Sequence, residues 1–241
     1  MTRTELASTL QVFTYEVVTK DSCKITGITS LLDEQMISLV IPEYSPEGHR
    51  VVAIGDRAFS GMSSLCRVDL PASIESIGAR AFAFCDNLME IRFGGRSGFY
   101  SSLSYIGDRA FMGCDRLTVL ALGELHGNLT CGKKAFAHCT RLRAAVLPMG
   151  MMEISEGMFE GCRSLTYLRL PESLSIIHTS AFSSCVSLSF LSLPSNVYRV
   201  DDCAFSFCAS LDNIQLPEGE CLVSATAFLD CPARPDFMKA V

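Results

Sequence analysis

The stretch SIGARAFAFCDNL, residues 76–88, recurs almost unchanged as YIGDRAFMGCDRL at residues 105–117. Both copies contain an Ile-Gly pair, then an Ala-Phe pair, then a Cys and a Leu at intervals of three residues. The Phe of this pattern occurs eight times, at Phe59, Phe82, Phe111, Phe136, Phe159, Phe182, Phe205 and Phe228. Five of the seven intervals are 23 residues, and the others are 29 and 25. A fixed period of this length predicts a solenoid in which each repeat forms one coil.

Each repeat also carries a strand signal after its Phe. Apolar residues nine and eleven positions after the Phe alternate with other residues, as in a strand with one buried face. A proline ends this strand in five repeats, at Pro71, Pro148, Pro171, Pro194 and Pro217. The spacing of three between Phe and Cys predicts one helical turn. Its expected N-caps are Asp56, Asp108, Thr179 and Asp202. Its expected ends are Gly61, Gly113 and Gly161. The predicted fold is an α/β-type repeat solenoid, mostly β, curved, with one parallel β-sheet, short helical turns and loops.

The full unit, IGxxAFxxCxxLxxLxLP, resembles the BspA-like class of leucine-rich repeats over about residues 50–232. The resemblance implies a single domain with N-terminal capping strands in residues 1–50, eight repeats in 51–231 and a C-terminal cap in 232–241. It also implies a non-catalytic module for protein–protein interaction, of a kind commonly linked to adhesion to host matrix on bacterial surfaces.

Composition limits the classes of partner. The chain has 241 residues and a net charge of −6, and it shows no basic stripe, so nucleic acid is not an expected partner. No run approaches the roughly 18 apolar residues of a membrane span. Residues 1–18 do not read as a signal peptide, which predicts a cytoplasmic protein, or a surface or secreted one if a leader has been removed.

Twelve cysteines raise the question of thiol chemistry. Seven occupy the position three residues after the Phe, where a small apolar side chain suits a buried ladder. Neighbouring copies are close enough to form disulfides under oxidation. The chain has no C-x-x-C motif, and the adjacent pair His138 and Cys139 is poorly placed as base and nucleophile. We therefore expect no catalytic residue, metal or cofactor. The alternative is a thiol-dependent enzyme or metal-binding protein that uses Cys66, Cys203 or Cys221.

The outward positions of the predicted strands suggest a partner surface. Charged residues occupy them in the first two repeats, and amides occupy them in the last. Between these ends the outward residues are mainly apolar: Val119, Ala121, Ala144, Val146, Tyr167, Arg169 and Phe190. An apolar patch with a polar rim is typical of an interface for a protein partner or a homodimer. The alternatives are that these types simply favour strands, or that the solenoid is a stalk within a larger assembly.

Two loops extend the same hypothesis. The intervals of 29 and 25 residues place insertions at residues 94–104 and 123–130, in consecutive repeats. We expect Phe99, Tyr100 and His126 to project there as further partner contacts.

Overall fold

The protein is a stack of coils with one row of short strands on each of two faces. The computed structural model describes residues 12–29, 38–94, 101–123, 125 and 128–232, and within them it contains strands and turns but no helix. The strands are β1 Phe13–Thr19, β2 Ser22–Ile28, β3 Ser38–Val40, β4 Arg50–Ile54, β5 Arg67–Asp69, β6 Ser76–Ile77, β7 Glu90–Arg92, β8 Tyr105–Ile106, β9 Val119–Ala121, β10 Thr130–Cys131, β11 Ala144–Val146, β12 Glu153–Ile154, β13 Tyr167–Arg169, β14 Ile176–Ile177, β15 Phe190–Ser192, β16 Arg199–Val200, β17 Asn213–Gln215 and β18 Leu222–Val223.

The prediction of a single parallel sheet was wrong, because the strands form two faces. The odd-numbered strands from β3 onward carry the Leu pattern and form the leucine face, in the groups β3-β5-β7, β9-β11-β13 and β15-β17. The even-numbered strands, joined at the N-terminal end by β1, form the isoleucine face, in the groups β1-β2-β4-β6-β8-β10 and β12-β14-β16-β18. From β4 onward each of them contains the residue five positions before the Phe, most often Ile. All these pairings are parallel except the β1–β2 hairpin at the N-terminal end. From β6 onward the isoleucine-face strands have two residues each, too short for alternation to show in the sequence.

The predicted helical turn was also wrong. The amide of Cys85 does reach the carbonyl of Phe82 within one coil, at 3.4 Å, which accounts for the spacing of three. However, Arg80 and Phe84, two residues before and after Phe82, have φ angles of 55° and 60°. A left-handed residue interrupts a right-handed helix. The amide of Phe82 therefore bonds to the Ala110 carbonyl of the next coil, at 2.8 Å, and the segment around each Phe is an arc that joins coil to coil.

Two of the expected N-caps, Asp56 and Asp108, act between coils. A carboxylate oxygen of Asp56 accepts the amide of Ala79, 23 residues further along, at 2.7 Å. Asp108 accepts the amide of Lys133 in the same way, at 2.9 Å. The glycine of the Ile-Gly pair is needed for this contact, because a Cβ on Gly78 would lie 2.5 Å from the Asp56 carboxylate. The Asp and the Gly of consecutive repeats therefore form one structural unit.

A continuous stack of phenylalanine rings fills the core. Neighbouring rings from Phe59 to Phe228 have centroids 5.1–5.8 Å apart and planes within 21° of parallel. All eight rings are almost fully buried. Phe13 of β1 meets Phe59 edge to face, at 6.3 Å and 86°, so the N-terminal hairpin closes this end of the stack. Such pairs add to the stabilisation from burial.

The cysteines three residues after each Phe form a second ladder. Each thiol donates to the carbonyl of the Phe one coil earlier, at 2.8–3.3 Å, through Cys85, Cys114, Cys139, Cys162, Cys185, Cys208 and Cys231. A buried carbonyl without a full set of donors is costly, and a thiol is small enough to donate inside the core. The first coil has no earlier Phe of the series behind it, and Met62 stands at this position instead.

We predict that Phe111→Ala lowers the free energy of unfolding by about 3–5 kcal/mol, because it leaves a cavity between two stacked rings. Phe207→Ala is the matched control, since this Phe is 49% exposed on the arc surface. Its expected cost is below about 1 kcal/mol. Urea unfolding followed by circular dichroism measures both, and equal losses would contradict a core role for the stack.

We predict that Gly107→Ala destabilises the protein by about 1–3 kcal/mol, because the added Cβ would overlap the backbone of the preceding coil. A Cβ at Gly107 would lie 2.6 Å from the backbone nitrogen of Ala79. Gly219→Ala is the control, since no atom lies within 4 Å of a Cβ there. The same unfolding measurement applies, and a neutral Gly107→Ala would mean that coil spacing is not limited at this glycine.

Candidate functional site

Six of the seven outward residues predicted as a partner surface lie on one sheet. Strands β9, β11 and β13 pair in register, which aligns Val119, Ala144 and Tyr167 in one row. The second row consists of Ala121, Val146 and Arg169. Adjacent strands lie about 4.8 Å apart, so the rows are continuous across three coils. We call these six residues together with Phe190 the central patch.

Three large apolar side chains of the central patch are exposed. Val119 is 53% exposed, Tyr167 56% and Phe190 48%, whereas Leu120 and Ala145 between the outward positions are buried. The strands therefore show the alternation that the sequence indicates, with one face toward the core and the other toward solvent. Exposed aromatic side chains on a strand backbone lose little conformational freedom when they bind, because few torsions remain to be fixed.

Phe190 lies on a strand that is not hydrogen-bonded to the three strands of the other six residues. Within the described ranges, β13 and β15 are not paired, and Phe190 aligns with Asn213 of β17. The leucine face is therefore interrupted in the middle of the predicted surface. The sequence carried no sign of this interruption, because the repeat containing Phe190 has the regular length of 23 residues.

Polar side chains border the central patch on both sides. Toward the N-terminus, Glu90 contacts Arg67 at 3.9 Å and Arg92 at 2.7 Å, and Arg92 lies 3.8 Å from Asp69. These ion pairs are exposed and contribute little stability, but they give this side of the patch a hydrophilic rim. Toward the C-terminus the rim consists of the outward amides of β17, Asn213 and Gln215.

The loop residues proposed as further contacts, Phe99, Tyr100 and His126, lie outside the described residues. Their contribution stays a prediction. The start of the second loop is described, however. A Cβ on Gly123 would lie 2.6 Å from the side chain of Val146, so this loop leaves the leucine face directly beside the central patch.

The ladder thiols are poorly suited to nucleophilic chemistry. All twelve cysteines are described and none is in a disulfide. Burial raises the pKa of the Cys85 and Cys139 thiols to about 12, so they are protonated near neutral pH. His138 is exposed on the arc surface, whereas Cys139 is buried beside it. The two side chains therefore point in different directions, as the sequence indicates.

Three of the cysteines outside the ladder, the candidates for thiol chemistry, are less buried. Cys66, Cys203 and Cys221 are half-buried, and burial raises the pKa of Cys221. The described residues contain no group of three or more His, Cys, Asp or Glu side chains that could hold a metal ion.

One polar cluster was missed at the sequence level. The two ring nitrogens of His178 contact Glu153 at 2.8 Å and Asp201 at 3.2 Å. The three residues lie on consecutive coils of the isoleucine face, 25 and 23 residues apart in the sequence. This spacing is the signal that could have found them, because residues one period apart become neighbours in a solenoid. The cluster borders a groove between β10 and β12.

Comparison with known proteins assigns the fold to a family. A family model described as "BspA type Leucine rich repeat region (6 copies)" matches residues 44–129 and 129–234. The chain belongs to the BspA type leucine-rich repeat family. This match confirms the resemblance drawn from the repeat unit. A search of curated proteins by sequence found no match.

Solved structures of bacterial leucine-rich repeat proteins share this fold. A leucine rich cell surface protein from Faecalibacterium prausnitzii A2-165 has a TM-score of 0.74 and 29% identity, over 84% of this chain and 52% of that protein. The chain thus spans about half the length of that relative. A leucine-rich repeat protein from T. pallidum has a TM-score of 0.68 and 27% identity, over 95% of this chain and 90% of that protein. No helix in the described part of this family member is long and apolar enough to cross a membrane.

We predict that the stability of this leucine-rich repeat domain falls as the pH rises from about 9 to 12. The ordinary pKa of Cys139 is 9.0, and burial raises it to about 12 in the folded state. The unfolded chain therefore loses the thiol proton first, so the stabilisation present below pH 9 is lost as the pH increases. Urea midpoints between pH 8 and 11 measure this effect. Cys139→Ala should make the dependence shallower, and an unchanged slope would contradict the assignment.

Proposed function

We propose that the chain is a binding module for a protein partner and that the central patch is its contact surface. The observation that supports this most directly is the row Val119, Ala144 and Tyr167, which aligns two exposed apolar side chains and the half-buried Ala144 across three strands. A contiguous exposed apolar patch with a polar rim is a common feature of protein interfaces. Membership of a family whose repeats form interaction surfaces supports the same proposal.

The chemistry of the central patch favours a partner with an apolar or aromatic contact region. Tyr167 and Arg169 are among the residue types that most often dominate binding energy. They lie on the same strand, two residues apart, and therefore point to the same side of the sheet. The ion-paired rim around Glu90 is hydrated, so it would set the orientation of the partner and add little affinity.

A location at the cell surface, with adhesion as the role, is the finer proposal. It is supported by the F. prausnitzii relative, which is described as a cell surface protein and shares 29% sequence identity with this chain. A partner from host extracellular matrix would fit this role, whereas a partner from the cytosol would fit an internal scaffold. The source of the partner therefore separates the two alternatives. A homodimer through the central patch is a third outcome of the same test.

We predict that Tyr167→Ala/Phe190→Ala lowers the affinity for the partner at least about tenfold, because both side chains are exposed anchors of the patch. The immobilised protein is first used to capture partners from cell lysate and from extracellular matrix extract. The captured protein is then titrated against wild type and variant by calorimetry.

The matched control is Tyr198→Ala/Phe207→Ala, which removes one Tyr and one Phe of similar exposure, 49% each, outside the central patch. It should retain the wild-type affinity. Equal loss in both variants would show that the effect is not specific to the patch. Full retention in Tyr167→Ala/Phe190→Ala would move the contact to another surface. Failure to capture any partner, with no self-association in sedimentation, would leave the stalk as the better explanation.

A further inference from the structure

Four arginines form a basic cluster where the arcs turn into the leucine face. They lie between the ladder cysteine and the leucine-face strand of three consecutive coils, at Arg116, Arg141, Arg143 and Arg163. All four are exposed. We call these four residues the arginine corner. The segments that carry them, residues 114–118, 139–143 and 162–166, contain a single acidic residue, Asp115.

Hydrogen bonds between coils fix the backbone of Arg143 at the edge of the leucine face. Its amide donates to the carbonyl of Thr118 in the preceding coil, at 2.8 Å. Its carbonyl accepts the amides of Thr166 and Tyr167 in the following coil, both at 3.0 Å. Arg143 directly precedes Ala144 of the central patch, so its charge lies beside the apolar row.

The part of the arginine corner nearer the arc is also aligned between coils. The hydroxyl of Thr140 donates to a carboxylate oxygen of Asp115 in the preceding coil, at 3.1 Å. Arg116 and Arg141 directly follow these two residues and are 25 residues apart in the sequence. Consecutive coils therefore bring their backbones to about the strand spacing of 4.8 Å. A sequence pattern does not show this cluster, because its members meet only when the coils stack.

The guanidinium groups of the arginine corner are unpaired in the described part of the chain. None of the four forms an ion pair or a side-chain hydrogen bond there. Arginines elsewhere on the surface are paired, as Arg92 is with Glu90 at 2.7 Å and Arg199 is with Asp201 at 3.1 Å. A guanidinium presents its donors in a planar fork that matches a carboxylate. The corner therefore offers four such forks to an anionic ligand.

The arginine corner lies on the same three coils as the β9-β11-β13 sheet. Its residues stand one to four positions before the first outward residue of these strands. Arg169 of the central patch, which is also exposed, adds a fifth cation on these coils. The neighbouring coils do not extend the cluster, since the equivalent segment of the coil before has Asp86 and that of the coil after, residues 185–189, has no charged residue. Positive charge is thus concentrated beside the apolar row, in a chain whose net charge is −6.

The extent of the arginine corner favours an acidic protein segment over a long polyanion. Three coils at ordinary strand spacing span about 10 Å. A nucleic acid or a sulfated polysaccharide is charged along its whole length. Beyond the corner it would meet Asp86 along the solenoid and the apolar central patch across it. A protein segment can place two or three carboxylates beside apolar side chains, which matches the corner and the patch together.

We propose that the arginine corner binds acidic side chains of a protein partner, beside the apolar contact of that partner with the central patch. This inference rests on the proposed function and deepens it, because it assigns a charge to the contact region of the partner. Each guanidinium can form two parallel hydrogen bonds with one carboxylate. Because the arginines are exposed, their attraction acts before contact and is weakened by salt.

The test is a selection with a phage-displayed random peptide library, which contains acidic, neutral and basic peptides, on the immobilised full chain. Arg116→Gln/Arg141→Gln/Arg143→Gln removes three charges of the corner and serves for counter-selection. Synthetic versions of the surviving peptides are then measured with wild type and variants by fluorescence anisotropy, at low and at high salt. Circular dichroism checks that each variant is folded.

The matched control is Arg57→Gln/Arg80→Gln/Arg109→Gln, which makes the same change in net charge on three consecutive coils at the start of the arc. Two of these arginines directly follow an acidic residue, Asp56 or Asp108, so this row is less positive than the corner. The control therefore separates an effect of the arginine corner from an effect of total charge.

The expected result is a set of peptides rich in Asp and Glu beside apolar residues, with at least about tenfold weaker binding to the corner variant and unchanged binding to the control. High salt should weaken the binding, and replacement of the acidic residues by Asn and Gln should abolish it. Selection of no peptide, selection of neutral or basic peptides, or equal binding to wild type and the corner variant would overturn the proposal. Labelled heparin, a sulfated polysaccharide, is measured alongside. Heparin binding that is lost in the corner variant, with no binding of acidic peptides, would overturn it in favour of a polyanion site.

The variant Tyr167→Ala/Phe190→Ala distinguishes failure of this inference from failure of the proposed function. Acidic peptides that bind this variant as tightly as wild type, but not the corner variant, would support the arginine corner and not the central patch. Peptides that need Tyr167 and Phe190 but carry no acidic residue would support the central patch and overturn the role of the corner.

Discussion

The contact between each Phe carbonyl and the thiol of the next coil is the constraint on which the rest of the structure depends. The carbonyl of Phe111, for example, is buried and receives the amide of Cys114 within its coil and the thiol of Cys139 from the next. The ring of the same Phe stacks on its neighbours at 5.2 and 5.3 Å. Both contacts require every coil to place its Phe and its Cys at the same position in the coil. A single repeat can satisfy neither, so the stack is stable only as an array.

This constraint acts on the core and leaves the outward positions free to vary. Leu120 and Ala145 must face the core, but Val119 and Ala144 beside them need only suit a strand. The central patch and its ion-paired rim therefore lie on a frame that does not depend on them for stability. Mutations that alter binding can accumulate there with little cost in unfolding free energy, which is how a repeat scaffold serves unrelated partners.

Interruptions of the two faces differ in their consequence. The leucine face is unpaired between β7 and β9 and between β13 and β15, and the isoleucine face between β10 and β12. Between β10 and β12 a groove of about 630 Å³ borders the unpaired strands, and the Ser155 hydroxyl still donates to the Gly132 carbonyl across this junction at 2.8 Å. The arcs stay hydrogen-bonded across this junction, as from Lys134 to Glu156 at 2.9 Å. The arcs therefore hold the two coils together where strand pairing on a face is interrupted.

The sequence by itself determined the solenoid, the period, the buried Phe and Cys positions and the outward residues of the leucine face, because each depends on a local pattern that repeats. It did not reveal the second face, whose strands such as Ser76–Ile77 are too short to alternate. It also suggested helical turns, since a spacing of three is common to a helix and to the arc around Phe82. Only the tertiary structure decided these points, together with the His178 cluster and the break in strand pairing between β10 and β12. Each arises from contacts between coils, and the residues that meet there are a full period apart in the chain. A local sequence pattern does not show which of these contacts form.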